Sequence, residues 1–324
     1  MLSRFFEKYT GFFRNLKAVY VLNNLLNYRS LSRNRALYRQ RGLHKSVVAP
    51  IAHRDFAGKP TGEIPWLDRP DALEKLVQHP DYQSFTEEIQ AGLRQFVTDG
   101  YLTLRGYFTQ AEVAALNAEI DQLRREGKAG FNYTGRKIFN VHEVSPIAEQ
   151  FFFKNKEILR LLTFLFGRPA VPFQTLHFIE GSEQRPHSDS IHMTTDPDGF
   201  LLAAWVALEH VGPENGTLTY YPGSHRLPFV STDDYDSGNT SLTIGEDSNR
   251  HYEDKIAEII EKNGLKPAVF EGEAGDVFVW HANLLHAGSP IQRPGATRRS
   301  IVSHYFAEGV ICYHEMTQRP AILK

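Results

Sequence analysis

Cysteine is almost absent from this chain of 324 residues, with Cys312 as its single thiol. One cysteine excludes an internal disulfide and a thiolate-rich zinc or iron–sulfur site. No run of about 18 uncharged apolar residues occurs, so no membrane-spanning helix is predicted. The first residues are interrupted by charges and lack a small-residue cleavage site, so we expect no secretory signal. These absences together favour a cytoplasmic protein.

Sequence motifs of several enzyme classes are missing as well. No G-x-G-x-x-G turn opens a helix after a strand, and neither a phosphate-binding P-loop nor a G-x-S-x-G nucleophile elbow is present. Nucleotide-binding and serine-hydrolase functions therefore have no support in this sequence. Histidine, by contrast, occurs fourteen times and is concentrated after Pro172. We therefore expect the chemistry of the protein to depend on histidine.

Charge is unevenly distributed along the chain, although the formal net charge is only −2. Residues 1–45 carry ten Lys or Arg residues and one acid, Glu7, so the remainder of the chain is acidic. An acidic body argues against a nucleic-acid enzyme. Within residues 1–45, apolar residues recur at three- and four-residue spacing with basic residues between them, which predicts an amphipathic helical arm. These apolar positions are Phe5, Phe6, Tyr9, Phe12, Phe13, Leu16, Val19 and Tyr20.

Two interpretations of the basic arm stay open. The helix could lie on an anionic membrane surface, which would make the protein membrane-peripheral. It could instead pack on its own domain or on a second copy of the chain in a homo-oligomer. Packing is favoured, because aromatic stripes at helical spacing are more often packing surfaces.

The distribution of residue types predicts four segments. Residues 1–45 are the basic arm, and residues 46–90 form a connection interrupted by proline, followed by a helix. Residues 91–310 form the main domain, and residues 311–324 are a C-terminal tail. No internal repeat or low-complexity tract divides the chain further.

Helical and β-rich stretches are separated along the chain. Helices are predicted over 82–98, from a Thr109–Glu112 capping box onwards, over 153–166 and over 252–263. Short β-rich runs punctuated by turn signals dominate the second half of the chain. These runs are 173–179, 200–211, 216–221, 267–271, 276–280 and 299–306. The sequence thus predicts a mainly β fold with flanking helices, a double-stranded β-helix or jelly-roll (cupin-like) barrel buttressed by α-helices.

The densest group of potential metal ligands is the stretch His187-Ser188-Asp189. Side chains two positions apart in an extended segment point to the same side, so His187 and Asp189 could bind one metal ion. A third ligand must come from another strand, and His286 is the best candidate. Two histidines and one carboxylate form the facial triad of non-haem Fe(II) oxygenases, which leaves coordination positions open.

An oxygenase with this triad needs a co-substrate that supplies electrons for splitting O2. A 2-oxo acid can chelate iron through its 1-carboxylate and its 2-oxo group and leave one position for O2. Its second carboxylate then needs a fixed cation, and Arg298 follows His286 by twelve residues. Arginine suits this role because its planar fork binds a carboxylate bidentately.

Residues 96–306 resemble the phytanoyl-CoA dioxygenase family of Fe(II)/2-oxoglutarate-dependent oxygenases. The matching stretches are FVTDGYLTLRGYFTQAEVAALNAEI, HSD, WVALEHVGPENGTLTYYPGSHR, GDVFVWHANLLHAGSP and TRRSIVSHYF. The resemblance implies Fe(II) as the metal, with 2-oxoglutarate and O2 as co-substrates. It further implies that His187, Asp189 and His286 hold the iron and that Arg298, Ser300, Trp205 and Gln174 form the 2-oxoglutarate pocket.

The chain departs from the family pattern in two ways. The asparagine that commonly lies a few residues after the distal histidine is missing from the sequence SPIQ after Gly288. The spacing from His286 to the arginine is also one residue longer than usual, which leaves Arg298 and Arg299 as alternatives. Arg298 is preferred, because strand alternation then places Arg298 and Ser300 on one face.

Two further histidines could take part in the site. His281 could compete with His286 as a metal ligand, although in the family a polar residue at that place usually supports the site without binding metal. His192 could contact the substrate or be a solvated loop residue.

The resemblance predicts a hydroxylase of a small molecule. Asp189 occupies the coordination position that related halogenases leave empty for chloride, so we expect hydroxylation of a C–H bond with decarboxylation of 2-oxoglutarate to succinate. The polar segments 190–199 and 230–250 favour a small polar metabolite as substrate. Two alternatives stay open: a non-oxygenase, metal-dependent cupin-like enzyme, which would not need Arg298, and a catalytically silent barrel used as a binding or scaffold protein.

Overall fold

The computed structural model describes residues 15–59, 63–131, 135 and 137–323. The first part of the predicted amphipathic arm, including Phe5 and Phe13, lies outside the described residues. Within the described ranges, none of the helices combines the length and the apolar character that a membrane crossing requires.

Three antiparallel sheets form the body of the protein. The strands are β1 (Tyr101–Leu104), β2 (Lys137–Phe139), β3 (Ala170–Phe178), β4 (Thr194–Asp196), β5 (Leu201–Ala207), β6 (Leu218–Tyr220), β7 (Ala268–Val269), β8 (Val277–His281), β9 (His286–Gly288), β10 (Ser300–Ala307), β11 (Ile311–His314) and β12 (Arg319–Pro320). The largest sheet has the spatial order β1-β8-β5-β10-β3-β2, and the two smaller sheets have the orders β7-β6-β9 and β12-β11-β4. A large and a small sheet with these crossovers make the predicted jelly-roll barrel.

Strand β5 shows how the sequence builds two separate cores. Leu202 and Val206 pack in a cluster that includes the surrounding helices. Ala203 and Trp205, which alternate with them, pack in a second cluster inside the barrel. All residues of this strand are buried, because one face is covered by helices and the other lines the barrel interior. Inward-facing positions of the same sheet are therefore available to build a site.

Helices flank the sheets, and most of them lie before β3 in the chain. They are α1 (Lys17–Leu26), α2 (Tyr28–Ser32), α3 (Asn34–Gln40), α4 (Ala72–Gln78), α5 (Glu87–Asp99), α6 (Gln110–Arg125), α7 (Pro146–Phe152), α8 (Lys156–Phe166) and α9 (Ser248–Lys262). The predicted capping box at the start of α6 is confirmed. The Thr109 hydroxyl accepts from the backbone N–H of Glu112 at 3.2 Å, and the Glu112 carboxylate accepts from that of Thr109 at 2.8 Å.

Several predicted boundaries differ from the structure for identifiable reasons. The helix predicted over 153–166 begins at Lys156, because the Asn155 side chain caps it and accepts from the backbone N–H of Ile158 at 3.1 Å. Helix α9 begins at Ser248 rather than at 252. Strands β4, β9, β11 and β12 were not predicted, because runs of two to four residues are too short to show alternation.

The described part of the basic arm packs against the last strands of the chain. Leu31 and Tyr38 share a buried cluster with Ile311 and Tyr313. The ammonium of Lys17 is buried and donates to the Gln318 side-chain oxygen at 2.6 Å and to a loop carbonyl oxygen. Residues on both sides of the main domain thus share one core, while the division of the chain into domains stays a prediction.

Candidate active site

Three potential metal ligands converge inside the barrel. The ligating atoms of His187, Asp189 and His286 lie within 4.8 Å of one another, and all three residues are buried. The backbones of His187 and His286 form a two-way antiparallel bridge, with N–H···O distances of 3.0 and 2.9 Å. Two residues that are far apart in sequence are therefore held side by side by the main chain itself.

The hydrogen bonds of the two histidine rings fix their tautomers. Nδ1 of His187 lies 2.9 Å from the carbonyl oxygen of Arg185, and Nδ1 of His286 lies 3.0 Å from that of Leu284. A carbonyl oxygen can only accept, so each Nδ1 carries a proton, and in the neutral form of the ring Nε2 then keeps a lone pair. Burial also lowers the pKa of His187 well below its usual value, which favours the neutral ring. Neutral imidazoles oriented by backbone carbonyls are typical metal ligands.

Asp189 is oriented by side chains from two strands of the large sheet, β8 and β10. The indole N–H of Trp280 donates to its Oδ2 at 2.8 Å, and Nε2 of His304 lies 3.4 Å from the same oxygen. The other oxygen, Oδ1, lies 3.7 Å from Nε2 of His286. Burial by itself would raise the pKa of this carboxyl, but the histidine rings outweigh burial and hold the pKa well below its usual range. Asp189 is therefore an ionised carboxylate with a fixed orientation.

Arg298 is a buried cation that forms no salt bridge within the described residues. Only 3% of the residue is exposed, and neither its Nε nor its Nη1 has a hydrogen-bond partner among the described residues. Burial lowers its pKa to about 10, so the guanidinium stays charged at neutral pH. Nη2 fits against Gly181, where an added Cβ would lie only 2.5 Å away. The donor fork has the geometry and charge that a carboxylate would satisfy.

Arg299 points to the opposite face of strand β10. Its two terminal nitrogens each lie 3.0 Å from an oxygen of Asp121 on helix α6. The alternation of side chains therefore separates the two arginines, with Arg298 at the interior and Arg299 at the helix layer.

A cavity of about 590 Å³ contains most of the predicted site residues. Its lining includes the triad, Arg298, Trp205, Gln174 and His192. Trp205 packs edge-on against Phe270 at 5.2 Å, and the Gln174 amide lies 3.5 Å from Nδ1 of His304. Ser300 is fully buried, and its hydroxyl has no partner among the described residues.

His281 and His192 occupy different positions relative to the triad. Nδ1 of His281 accepts from the backbone N–H of Asn283 at 3.1 Å, and its Nε2 lies 3.3 Å from Asp68. It is absent from the group of potential metal ligands. His192 lines the cavity with its ring 5.8 Å from that of His187, and burial together with the charge of Lys137 lowers its pKa to about 4.

Sequence reasoning assigned no site role to several side chains that line the same cavity. Among them are Lys137, Trp280, His304 and Arg319. A signal existed for His304, since the alternation that selects Arg298 and Ser300 continues to residue 304. No comparable signal existed for Lys137, on the three-residue strand β2, or for Arg319, on the two-residue strand β12, because both strands lie outside the recognisable barrel pattern.

Comparison with known families decides where this chain belongs. The family model of phytanoyl-CoA dioxygenase (PhyH) matches residues 96–300, which is more than half of the chain. The chain belongs to the PhyH family. Among the curated relatives of this PhyH protein, phytanoyl-CoA dioxygenase 1 of Oryza sativa is 26% identical, with 53% of this chain and 57% of the relative aligned. The alignment thus spans little more than half of that relative.

Another relative and two solved structures extend the comparison. The ectoine dioxygenase of Bordetella parapertussis is 24% identical, over 69% of the PhyH protein and 80% of the relative. The crystal structure of apo EctD from S. alaskensis is 23% identical, has a TM-score of 0.53 and aligns over 74% and 83% of the two chains. The epimerase SnoN, solved with Fe3+, alpha ketoglutarate and nogalamycin RO, is 21% identical, has a TM-score of 0.52 and aligns over 78% and 88%. These structures share the barrel fold.

Proposed function

We propose that this PhyH-family protein is an Fe(II)- and 2-oxoglutarate-dependent dioxygenase that hydroxylates a C–H bond of a small molecule. One oxygen atom of O2 would enter the product as a hydroxyl group, and the other would enter succinate as 2-oxoglutarate loses CO2. The observation that carries the proposal is the presence, in one cavity, of a ligand triad and a buried arginine without a counter-ion.

The residues of the cavity fit both iron and 2-oxoglutarate. His187, Asp189 and His286 offer two neutral nitrogens and one carboxylate, the donor set of non-haem iron sites. The orphaned Nε and Nη1 of Arg298 fit the distal carboxylate of 2-oxoglutarate. When bound, iron with 2-oxoglutarate would supply the activation of O2 that the side chains cannot perform.

The side chains of this chain position and shield the reacting groups. The backbone carbonyls behind His187 and His286 hold the imidazoles in the ligating tautomer. Trp280 holds the Asp189 carboxylate. Trp205 belongs to a buried apolar cluster that lines the cavity, and such a low-dielectric wall would strengthen the interaction of Arg298 with a carboxylate.

Further parts of the proposal concern the substrate and the location. A small polar metabolite fits the polar loops near the site, and a cytoplasmic location fits the single cysteine. A non-oxygenase metal enzyme would use the triad but would have no need of the unpartnered Arg298. The experiment that follows separates these two functions.

The decisive experiment is an anaerobic titration of the Fe(II)-loaded protein with 2-oxoglutarate. We expect the weak visible absorption of an iron–oxoacid chelate, and succinate on admission of O2. Arg298→Gln should require far more 2-oxoglutarate to develop the band, whereas Arg299→Gln, on the other strand face, should titrate like the unaltered protein. A protein that binds Fe(II) but never develops the band would refute the dioxygenase proposal and favour the non-oxygenase alternative.

A further inference from the structure

A second arginine in the cavity, Arg319, also forms no salt bridge with the residues that the structure describes. Arg319 lines the cavity of the metal triad, and its side chain forms no hydrogen bond or ion pair with any residue of the described ranges. Its Nε is buried, and burial lowers the pKa of the guanidinium. Arg298 and Arg319 contact different parts of the wall, the first beside Gly181 and the second stacked on Tyr20. The 2-oxoglutarate pocket therefore leaves Arg319 unexplained.

Among the described residues that line the cavity, basic side chains outnumber acidic ones. Lys137 lines the cavity together with Arg298 and Arg319, and its ammonium donates to the side-chain oxygen of Gln184 at 2.9 Å. The only acidic side chains of the described residues that line the cavity are Asp189, at the metal ligands, and the exposed Glu246. A site of this charge favours an anionic ligand over a neutral or cationic one.

Tyr20 orients the guanidinium for binding. The Arg319 guanidinium carbon lies 5.3 Å from the centroid of the Tyr20 ring. Stacking covers the face of the guanidinium and leaves its N–H edge for a planar or tetrahedral oxyanion. Helix α1, which carries Tyr20, is held in place by Lys17, whose ammonium bonds to Gln318, the neighbour of Arg319. The described part of the basic arm thus forms part of the cavity wall.

A purely structural role explains Arg319 less well. Burying a guanidinium nitrogen without a partner costs free energy, and a neutral side chain could fill the same space against Tyr20 without that cost. Arg319 is half-buried and leaves Nε unsatisfied, whereas Arg298 leaves Nε and Nη1, which the carboxylate of 2-oxoglutarate would satisfy in the function proposed above. By the same reasoning, the cost at Arg319 is offset when a ligand with an oxyanion binds.

We propose that Arg319, stacked on Tyr20, binds an anionic group of the substrate, a carboxylate or a phosphate or sulfate ester. The proposal rests on the dioxygenase function proposed above and narrows its substrate class to organic acids or their phosphorylated or sulfated counterparts. A cavity of about 590 Å³ can hold such a molecule with one end at the metal ligands and its anionic group at Arg319. Tyr20 is then a positioning residue.

The test uses simple oxyanions on the full chain. Protein loaded anaerobically with Fe(II) and saturating 2-oxoglutarate, so that Arg298 is occupied, is titrated calorimetrically with sodium sulfate and, separately, with sodium acetate at constant ionic strength. We expect saturable binding of at least one anion, weakened about tenfold in Arg319→Gln and less in Arg319→Lys, since a charge-assisted hydrogen bond is lost. Arg293→Gln, which removes an exposed arginine paired with Glu214, is the matched control and should bind like the unaltered protein.

Each outcome decides one point. Tighter sulfate binding assigns the site to phosphate or sulfate esters, and tighter acetate binding assigns it to carboxylates. Tyr20→Leu, which keeps an apolar contact but removes the aromatic face, should also weaken anion binding. It tests the same site through a second residue if the Arg319 variants do not fold. Absence of saturable binding, or equal affinity in Arg319→Gln, overturns the proposal.

The two proposals can fail separately. If the chelate absorption does not develop, the dioxygenase function fails, and the anion titration is repeated on metal-free Arg298→Gln protein. If the anion binds to this metal-free protein and Arg319→Gln weakens that binding, the anion site is supported without the dioxygenase function. If Arg319→Gln leaves the binding unchanged, the anion site is refuted.

Discussion

The indole N–H of Trp280 donates a hydrogen bond of 2.8 Å to Oδ2 of Asp189. Both side chains are buried, and the contact joins strand β8 to the short helical turn that begins at Asp189. Because Oδ2 is engaged, Oδ1 is the oxygen that faces His286. The orientation of the proposed iron ligand thus depends on a residue that binds no metal.

Removing this hydrogen bond should weaken metal binding without unfolding the protein. Trp280→Phe keeps an aromatic ring but loses the N–H donor, and we expect the affinity for Fe(II) or Zn(II) to fall by about 10–100-fold, as for other contacts that support a metal ligand. Competition with a chromophoric chelator measures the change. Trp205→Phe is the matched control, since Trp205 lines the same cavity but packs on Phe270. Equal losses in both variants would argue against the orienting role.

Substitution of the proposed ligands should have a larger effect. We expect His187→Ala, Asp189→Ala and His286→Ala each to abolish hydroxylation. Each should also weaken metal binding by more than the roughly 10–100-fold expected for loss of a contact that only supports a ligand, as in Trp280→Phe. His281→Ala should keep its iron, because Nε2 of His281 faces Asp68 rather than the triad. Metal content after dialysis gives the answer, and an iron-free His281→Ala would show that the ligand assignment is wrong.

Loss of the Arg298 guanidinium should affect 2-oxoglutarate and spare the metal. Truncating one partner of a desolvated ion pair costs about 2–5 kcal/mol, so Arg298→Ala should raise the KM for 2-oxoglutarate at least about tenfold. Arg299→Ala breaks the ion pair with Asp121 and should lower thermal stability slightly while the KM stays unchanged. If Arg299→Ala raises the KM equally, the assignment of the two arginines is reversed.

A carboxyl remote from the triad should make stability depend on pH. Burial raises the pKa of Asp198 to about 6, and the charge of His53 opposes that rise. Between about pH 4 and pH 6 the folded state then holds a proton that the unfolded chain has released, so the free energy of unfolding falls as pH rises through this window. Asp198→Asn should remove this dependence and stabilise the protein at pH 7 by about 1 kcal/mol, allowing for partial exposure. Denaturant titrations at pH 4.5 and 7.5 test it, and an unchanged pH dependence would contradict the assignment.

The packing of helix α1 bears on the two interpretations of the basic arm. Because Lys17 is buried and Tyr20 touches Arg319, deletion of residues 1–26 should lower thermal stability and substrate turnover. Contact with membranes through residues 1–45 stays a prediction to be tested by sedimentation with anionic vesicles at low and physiological salt. We expect no pelleting, and salt-sensitive pelleting of the full chain would favour the membrane interpretation instead.

The sequence alone predicted the barrel and the arrangement of its central residues, because these rest on local signals. Alternation in strands, turn residues and the His187–Asp189 spacing identify the triad region and separate Arg298 from Arg299. The residues that complete the cavity wall could not be found this way. Tyr20 and Arg319 come together through the packing of α1 on β12, and such long-range contact leaves no periodic trace in either segment.

The backbone bridge between His187 and His286 makes the spacing of the two proposed ligands a property of strand register. Main-chain hydrogen bonds join the two residues in both directions, so a one-residue insertion or deletion in either segment would turn one imidazole to the opposite face. Lengthening the loops that connect the two segments would leave the pair in place. Evolution of the proposed iron site is therefore free in loop length and restricted in register.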